Sequence, residues 1–190
     1  METHLQHYVA DSVGLHWHHI TGLHWQVLGL ALLIGAVAGM RPLTASAVLA
    51  WGATLGWLPV AHTWAHWIGH PITVAVLTGV ALVELFNDKL IHAKVRLWPP
   101  HFVLRLLIGA FSGAVLGAGW HWTWTALGAG LLGAAIGTVI AHRLRRWLAS
   151  RDGDLPIAFA EDVVAILGAF AIVSVAYRLW HAYGCCGIGH

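Results

Sequence analysis

An arginine followed by a proline, Arg41-Pro42, lies in the middle of an apolar run from about residue 25 to residue 58. No other feature restricts the fold as sharply. Proline lacks a backbone N–H and pushes the residue before it out of helical angles, so a helix must break or kink here. The stretch around it, Leu32-Leu-Ile-Gly-Ala-Val-Ala-Gly39-Met-Arg41-Pro42-Leu-Thr44-Ala-Ser46, adds two glycines and two hydroxyls. A guanidinium at membrane depth costs roughly 2.5–3.5 kcal/mol on insertion scales, so it is normally paired or faces a polar cavity. Irregular backbone at that depth is tolerated only inside protein or against water. The break therefore reads as a site.

That argument assumes a bilayer, and composition supplies one. The chain is 58% hydrophobic and 9% charged, with mean hydropathy +0.72, against about 25% charged in soluble domains. An all-α integral membrane protein is expected. The net charge of +2 comes from scattered basic residues, which excludes a nucleic-acid surface. No cationic leader with a small-residue cleavage site precedes the first apolar run, so no removable signal peptide is expected.

Six apolar segments follow in order, at 25–40, 42–58, 71–88, 102–120, 124–142 and 157–180. Each meets or approaches the ~17–25 residues a spanning helix needs. The first two are the shortest, so they are expected to form a short or re-entrant hairpin with Arg41 at its tip. Residues 1–23 read as a His/Trp-rich interfacial arm, 24–98 and 99–180 as two membrane repeats, and 181–190 as a Cys/His tail. Crossing at every segment places Arg41, Lys89, Lys94, Arg96, Arg105, Arg143, Arg145, Arg146 and Arg151 on one face and Arg178 on the other. The positive-inside rule makes the first face cytoplasmic, so both termini lie outside a bacterial inner membrane.

The repeat division rests on an internal match. Leu32-Leu-Ile-Gly-Ala-Val-Ala-Gly39 agrees with Leu106-Leu-Ile-Gly-Ala-Phe-Ser-Gly113 at six of eight positions, 74 residues later. At the same offset Asp88 falls on Asp162 and Gly56 on Gly130. Three spans per copy force the second copy to insert upside down. That is the inverted-repeat plan of many secondary transporters, whose sites lie at the repeat interface. The series Gly109/Gly113/Gly117 and Gly133/Gly137 are small-xxx-small patterns that let helix backbones touch.

The charges within the apolar segments are the candidate solute or ion site: Arg41, Glu84, Asp88, Lys89, Arg105, Glu161 and Asp162, with Thr44 and Ser46 beside the break. Glu84 and Asp88 share a helix face. Glu161 and Asp162 stand near a helix start after Pro156. Arg41, Lys89 and Arg105 are the cations available to meet them. Desolvation raises a carboxylate's affinity for protons and a neighbouring cation lowers it. A site holding both can therefore couple a proton to an anionic solute or lipid headgroup. The bland alternatives are structural ion pairing or interfacial anchoring.

Histidine and tryptophan crowd the opposite face. His62, His66 and His70 recur every four residues, which on a helix would stack three imidazoles able to take Zn or Cu. An aromatic belt explains the same pattern without a metal. Cys185 and Cys186 read as inert thiols or as a vicinal pair near His181 and His190. No enzyme is expected. Ala110-Phe-Ser112-Gly113 lacks the first glycine of the Gly-x-Ser-Gly nucleophile of intramembrane rhomboid proteases, and there is no HExxH.

The order of Arg41-Pro42 after a Gly-rich span, Glu-x-x-x-Asp-Lys at 84–89, Arg105 before Gly109-Ala110 and Gly113-Ala114, and Ala160-Glu161-Asp162 resembles a bacterial family of small polytopic inner-membrane proteins known only as a domain of unknown function. The resemblance covers roughly residues 25–180. It implies a polytopic membrane domain with functional charges at Arg41, Glu84, Asp88, Arg105, Glu161 and Asp162, and it implies no substrate. The expected function is a small transporter or channel-like protein, proton-coupled and homo-oligomeric. The alternative is a non-transporting, metal-binding or accessory subunit of a larger membrane complex.

Overall fold

The computed structural model describes the backbone over residues 22–90, 99–149 and 154–184, and side chains over 22–84, 102–144, 146 and 162–183. The interfacial arm up to residue 21 and the Cys185-Cys186 pair lie outside the described residues. The regular structure of the described residues is all helical: α1 (Gly22–Met40), α2 (Pro42–Thr54), α3 (Pro71–Leu90), α4 (Pro99–Ala118), α5 (Thr123–Ala149) and α6 (Asp154–Gly184), with a 3-10 turn at His66–Gly69 between α2 and α3. Three of them hold stretches long and apolar enough to cross a membrane: Gly22–Met40, Thr123–Leu144 and Asp162–Tyr183. Within the described residues the apolar parts of α3 and α4, Pro71–Glu84 and Phe102–Ala118, are shorter. Helix α2, with 13 residues, is about 20 Å long at 1.5 Å per residue, short of the ~30 Å hydrocarbon layer.

Successive helices run in opposite directions. Contacts pair Leu43 with Glu84 and Trp51 with Thr78, so α3 returns antiparallel to α2. Arg41 meets Asp162 and Trp57 meets Tyr177, so α2 and α6 run parallel. The Trp120–Trp180 ring contact at 5.9 Å brings the end of α6 back to the α4–α5 turn. This order collects Arg41, Arg105, Arg143 and Arg146 at one end of the bundle. The other end gathers Trp25, Trp57, Trp64, Trp67, Trp120, Trp122, Trp124 and Trp180, with Arg178 beside them.

Small residues decide which helices touch. A Cβ at Gly35 of α1 would overlap the Gly130 carbonyl oxygen of α5, and one at Gly39 would overlap Ala134 O. Gly133 and Gly137 meet Leu32 and Ala36 in the same way. On its other flank α5 meets α4: a Cβ at Gly130 would overlap Gly109 O and lie 2.9 Å from Gly113 Cα. Residue numbers rise together along α1 and α5 and oppositely along α4 and α5. The two matching octapeptides, 32–39 and 106–113, therefore flank one helix in antiparallel sense.

The other marks of duplication do not occupy equivalent places. Gly56 is a turn residue at φ 71. It closes α2 in a Schellman arrangement, with Trp57 N–H donating to Gly52 O at 2.8 Å and Gly56 N–H to Ala53 O at 3.2 Å. Gly130 lies mid-helix. Asp88 falls in the last turn of α3, whereas Asp162 lies in the third turn of the 31-residue α6. Helix α2 has 13 residues and its counterpart α5 has 27.

The segment between α2 and α3 is irregular but not exposed throughout. Leu58, Val60, Ala65 and Ile68 are buried and join the core formed by Val27, Ile34, Leu49, Val115, Leu116 and Val173. This returning segment closes the tryptophan end over the short α2.

Candidate functional site: the buried break between α1 and α2

The chain reverses at a single non-helical residue. Arg41 N–H still donates to Val37 O at 2.7 Å, closing α1, and Arg41 O accepts Ala45 N–H at 3.2 Å, opening α2. Between these two bonds Arg41 itself is extended, at φ −136 and ψ 90, as the following proline demands. Pro42 then occupies the first helical position, where a missing N–H costs nothing. The Arg41 residue is 1% exposed and forms an ion pair, through Nη2, with Oδ1 of Asp162, which is 4% exposed.

A break of this kind leaves carbonyls bare at the end of one helix and N–H groups bare at the start of the next. Members of both sets find partners on other helices. Arg105 of α4 donates from Nη1 to Gly39 O at 2.5 Å and Met40 O at 2.6 Å. Thr138 of α5 shares its hydroxyl hydrogen between Ala134 O at 2.7 Å and Gly39 O at 3.1 Å. Leu43 N–H, in the first turn of α2, donates to Glu84 Oε2 of α3 at 3.2 Å. Ser46 Oγ donates back to Pro42 O at 3.3 Å. Helices α3, α4, α5 and α6 each send one polar side chain to the break.

Among the described residues, Arg41 and Arg105 stand with Glu84 and Asp162 at the break, two cations and two acids in a setting where an unpaired buried charge would be costly. Among the described residues, the buried Thr44 Oγ1, Ser112 Oγ and both Asp162 carboxylate oxygens show no hydrogen bond, Asp162 Oδ1 being in the ion pair with Arg41.

Of the candidate site residues, the structure brings Arg41, Thr44, Ser46, Glu84, Arg105 and Asp162 to this one place. The side chains of Asp88, Lys89 and Glu161 lie outside the described residues. Arg105 has a different role from the one its charge suggests, since it binds α1 carbonyls at the break. Thr138 escaped the sequence reading. Its signal was the spacing Gly130, Ala134, Thr138, which continues the small-residue face of α5 into the level of the break.

The histidine expectation needs correcting. His62, His66 and His70 do not share an α-helix: His62 and its neighbours form turns, and His66 opens the 3-10 turn. Pro71 begins the next helix immediately after His70. With 3.0 residues per turn, 3-10 geometry moves i and i+4 off a common face. His66 Nδ1 lies 3.2 Å from Thr63 O, and His70 Nδ1 accepts Ile72 N–H at 3.4 Å. No group of three metal-ligating side chains is formed among the described residues. The two later histidines instead line an open cleft with Thr54, Val60 and Trp67, at the end of the bundle opposite Arg41. No protein-family model, no curated protein and no solved structure matches this chain, so its own residues carry the functional reading.

Proposed function

We propose that this chain is a small transporter or channel-like protein of the bacterial inner membrane, with the Arg41–Asp162 pair at the centre of its solute or ion site. One observation carries the proposal. A guanidinium and a carboxylate, 1% and 4% exposed, face each other at a helix break among apolar helices. Ionisable groups in such a place mark solute and proton pathways, and broken helices are where transporters bind. The pair also joins the two halves, since Arg41 belongs to 24–98 and Asp162 to 99–180.

Several features support the membrane placement. The alternating helices separate an arginine end from a tryptophan end, as the positive-inside bias and the aromatic belt would. On that basis the arginine end faces the cytoplasm and both termini face outward. The antiparallel octapeptides against α5 support an inverted pair built around α1 and α4. The unequal lengths of α2 and α5 limit how far that symmetry extends. A homo-oligomer is part of the proposal, because six helices, one of them short, are few to enclose a path.

The test is proton flux into proteoliposomes carrying an entrapped pH dye, under an imposed pH gradient and with the candidate solute present. Wild type is expected to exceed empty vesicles. Arg41→Ala and Asp162→Asn are each expected to remove the excess; unchanged flux in both overturns the assignment. A second reading, an accessory subunit in which the break is purely a structural pin, is favoured by the side chains of α3, α4 and α5 that bond backbone groups at the break. Co-purification of a stable larger complex, with no flux from the isolated chain, would select it.

A further inference from the structure

The open cleft at the tryptophan end has no part in the break between α1 and α2. Its volume is 460 Å³, within the ~300–1,000 Å³ of small-molecule sites. His66, Trp67 and His70 line it, and the backbone fixes the two imidazoles in opposite senses. A carbonyl oxygen can only accept. His66, whose Nδ1 lies 3.2 Å from Thr63 O, therefore carries its proton on Nδ1 in the neutral ring and keeps a lone pair on Nε2. A backbone N–H can only donate. His70, whose Nδ1 accepts Ile72 N–H at 3.4 Å, therefore carries its proton on Nε2. The cleft thus offers one acceptor and one donor, beside an indole ring. Its walls are pinned: the Thr54 hydroxyl ties α2 to Gly69 O at 3.1 Å, and Thr73 of α3 donates to Trp67 O at 3.0 Å.

We propose that this cleft binds the headgroup of an outer-leaflet phosphatidylethanolamine. His70 Nε2–H donates to the phosphate. The primary ammonium donates to His66 Nε2 and gains cation–π attraction from Trp67. The surface beside the cleft argues for a lipid over a free solute. Helix α3 leaves the cleft with Ile72, Val76, Val80 and Val83 on one face, 41–68% exposed. From Ile72 to Val83 the helix rises about 16 Å at 1.5 Å per residue, one leaflet's half of the ~30 Å hydrocarbon layer. On the membrane placement proposed above, the tryptophan end lies at headgroup depth, so an acyl chain joined to a headgroup in the cleft follows this stripe. The headgroup choice follows from the two rings. Phosphatidylcholine has no N–H to give His66, and phosphatidylglycerol has no cation for His66 or Trp67. The inference rests on the membrane placement and is independent of transport.

The experiment titrates the purified full chain, in mixed micelles, with phosphatidylethanolamine, phosphatidylcholine and phosphatidylglycerol of the same acyl chains. Native mass spectrometry counts the lipids retained and gives the affinity of the tightest site. Wild type is expected to hold one phosphatidylethanolamine about threefold to tenfold more tightly than either other lipid, one hydrogen bond's worth. His66→Phe keeps a ring and removes the acceptor; it is expected to bring phosphatidylethanolamine down to the level of phosphatidylcholine, whose own affinity does not change. His70→Asp keeps an acceptor for Ile72 N–H and sets an anion where the donor was, so both phosphatides should weaken at least threefold. Equal affinity of the three lipids for wild type overturns the proposal, and so does a preference for phosphatidylglycerol. A phosphatidylethanolamine preference that survives both substitutions places the lipid elsewhere and overturns the cleft. Displacement of the lipid by an equal concentration of O-phosphoethanolamine, which has no acyl chains, assigns the cleft to a soluble aminophosphate and overturns the lipid. Liposome proton flux separates this inference from the transporter reading. Flux without lipid preference sinks the inference alone, and lipid preference without flux sinks only the transporter.

Discussion

Replacing Asp162 with leucine is the sharpest perturbation the structure offers, because its cost depends on Arg41 having no easy retreat. Arg41 is fixed by its backbone at the junction of two helices and is 1% exposed, so removing Asp162 takes a directly contacting carboxylate away from a buried cation. Breaking one side of a buried pair costs about 3–5 kcal/mol, which is a factor of roughly 10² to 10³ or more in the folding equilibrium at ~1.4 kcal/mol per tenfold. Removing both charges has a different consequence. A well-packed Arg41→Met, Asp162→Leu double variant avoids desolvating either ion and is expected to be neutral or more stable by about 1–4 kcal/mol. The double-mutant cycle should therefore show a coupling of at least ~3 kcal/mol between residues in direct contact. The assay is unfolding in mixed micelles, followed by tryptophan fluorescence. The Trp120–Trp180 contact links the α4–α5 turn to the end of α6 and reports their separation. A cost below about 1 kcal/mol for Asp162→Leu alone, the level of a solvent-exposed pair, would refute the reasoning. It would mean the guanidinium is held by groups other than Asp162. A stable double variant that no longer moves protons would show that the pair serves function at the expense of stability.

Two further expectations follow from the packing. Gly130→Ala places a methyl against the backbone of Gly109 and Gly113, which cannot rotate aside, and is expected to cost about 1–3 kcal/mol by overpacking. Gly128→Ala, two residues earlier with no atom within 4 Å of the added carbon, should be neutral or gain up to about 1 kcal/mol of helix propensity; equal melting temperatures for the two variants would contradict the seam. Arg105→Leu strips the donor from Gly39 O and Met40 O and is expected to cost about 1.5–3 kcal/mol, the range for a charged hydrogen bond. Amide exchange should then rise at Met40 and Arg41, and Arg105→Lys should restore part of the protection.

Much of the helical plan was legible because it follows from chemistry local to the chain. Pro42 dictates a break wherever it falls inside an apolar run, and the break is where the structure has it. Small residues spaced by four announce backbone contact, and Gly130, Gly133 and Gly137 make it. The failures share a physical cause: they concern partners chosen by the fold. A cation among acids reads as an ion-pair donor, but Arg105 meets carbonyls orphaned by a break in a different helix. Glu84 and Asp88 lie four apart on α3 as the spacing implies, but that spacing gave no hint that Glu84 bonds the first turn of α2. Thr138 escaped notice because the spacing Gly130, Ala134, Thr138 shows a small-residue face but not which carbonyl its hydroxyl will meet. Histidines four apart suggest a metal face only if the segment is α-helical, and Gly69 and Pro71 confine it to a 3-10 turn. The octapeptide match had a real counterpart in shared packing on α5, while the matched aspartates and the Gly56–Gly130 pair did not.

The glycine seam also constrains how such a bundle could open. Where two helices touch backbone to backbone, sliding one along the other would drive carbonyls into Cα atoms, so α1, α4 and α5 form a chassis that travels as a single body. Helices α2 and α6 meet instead through deformable groups, the Val173 side chain lying against Gly52 and the carboxylate of Asp162 against Arg41. Any gate in this molecule would hinge along that softer line, with Arg41 where the chassis and the moving part meet.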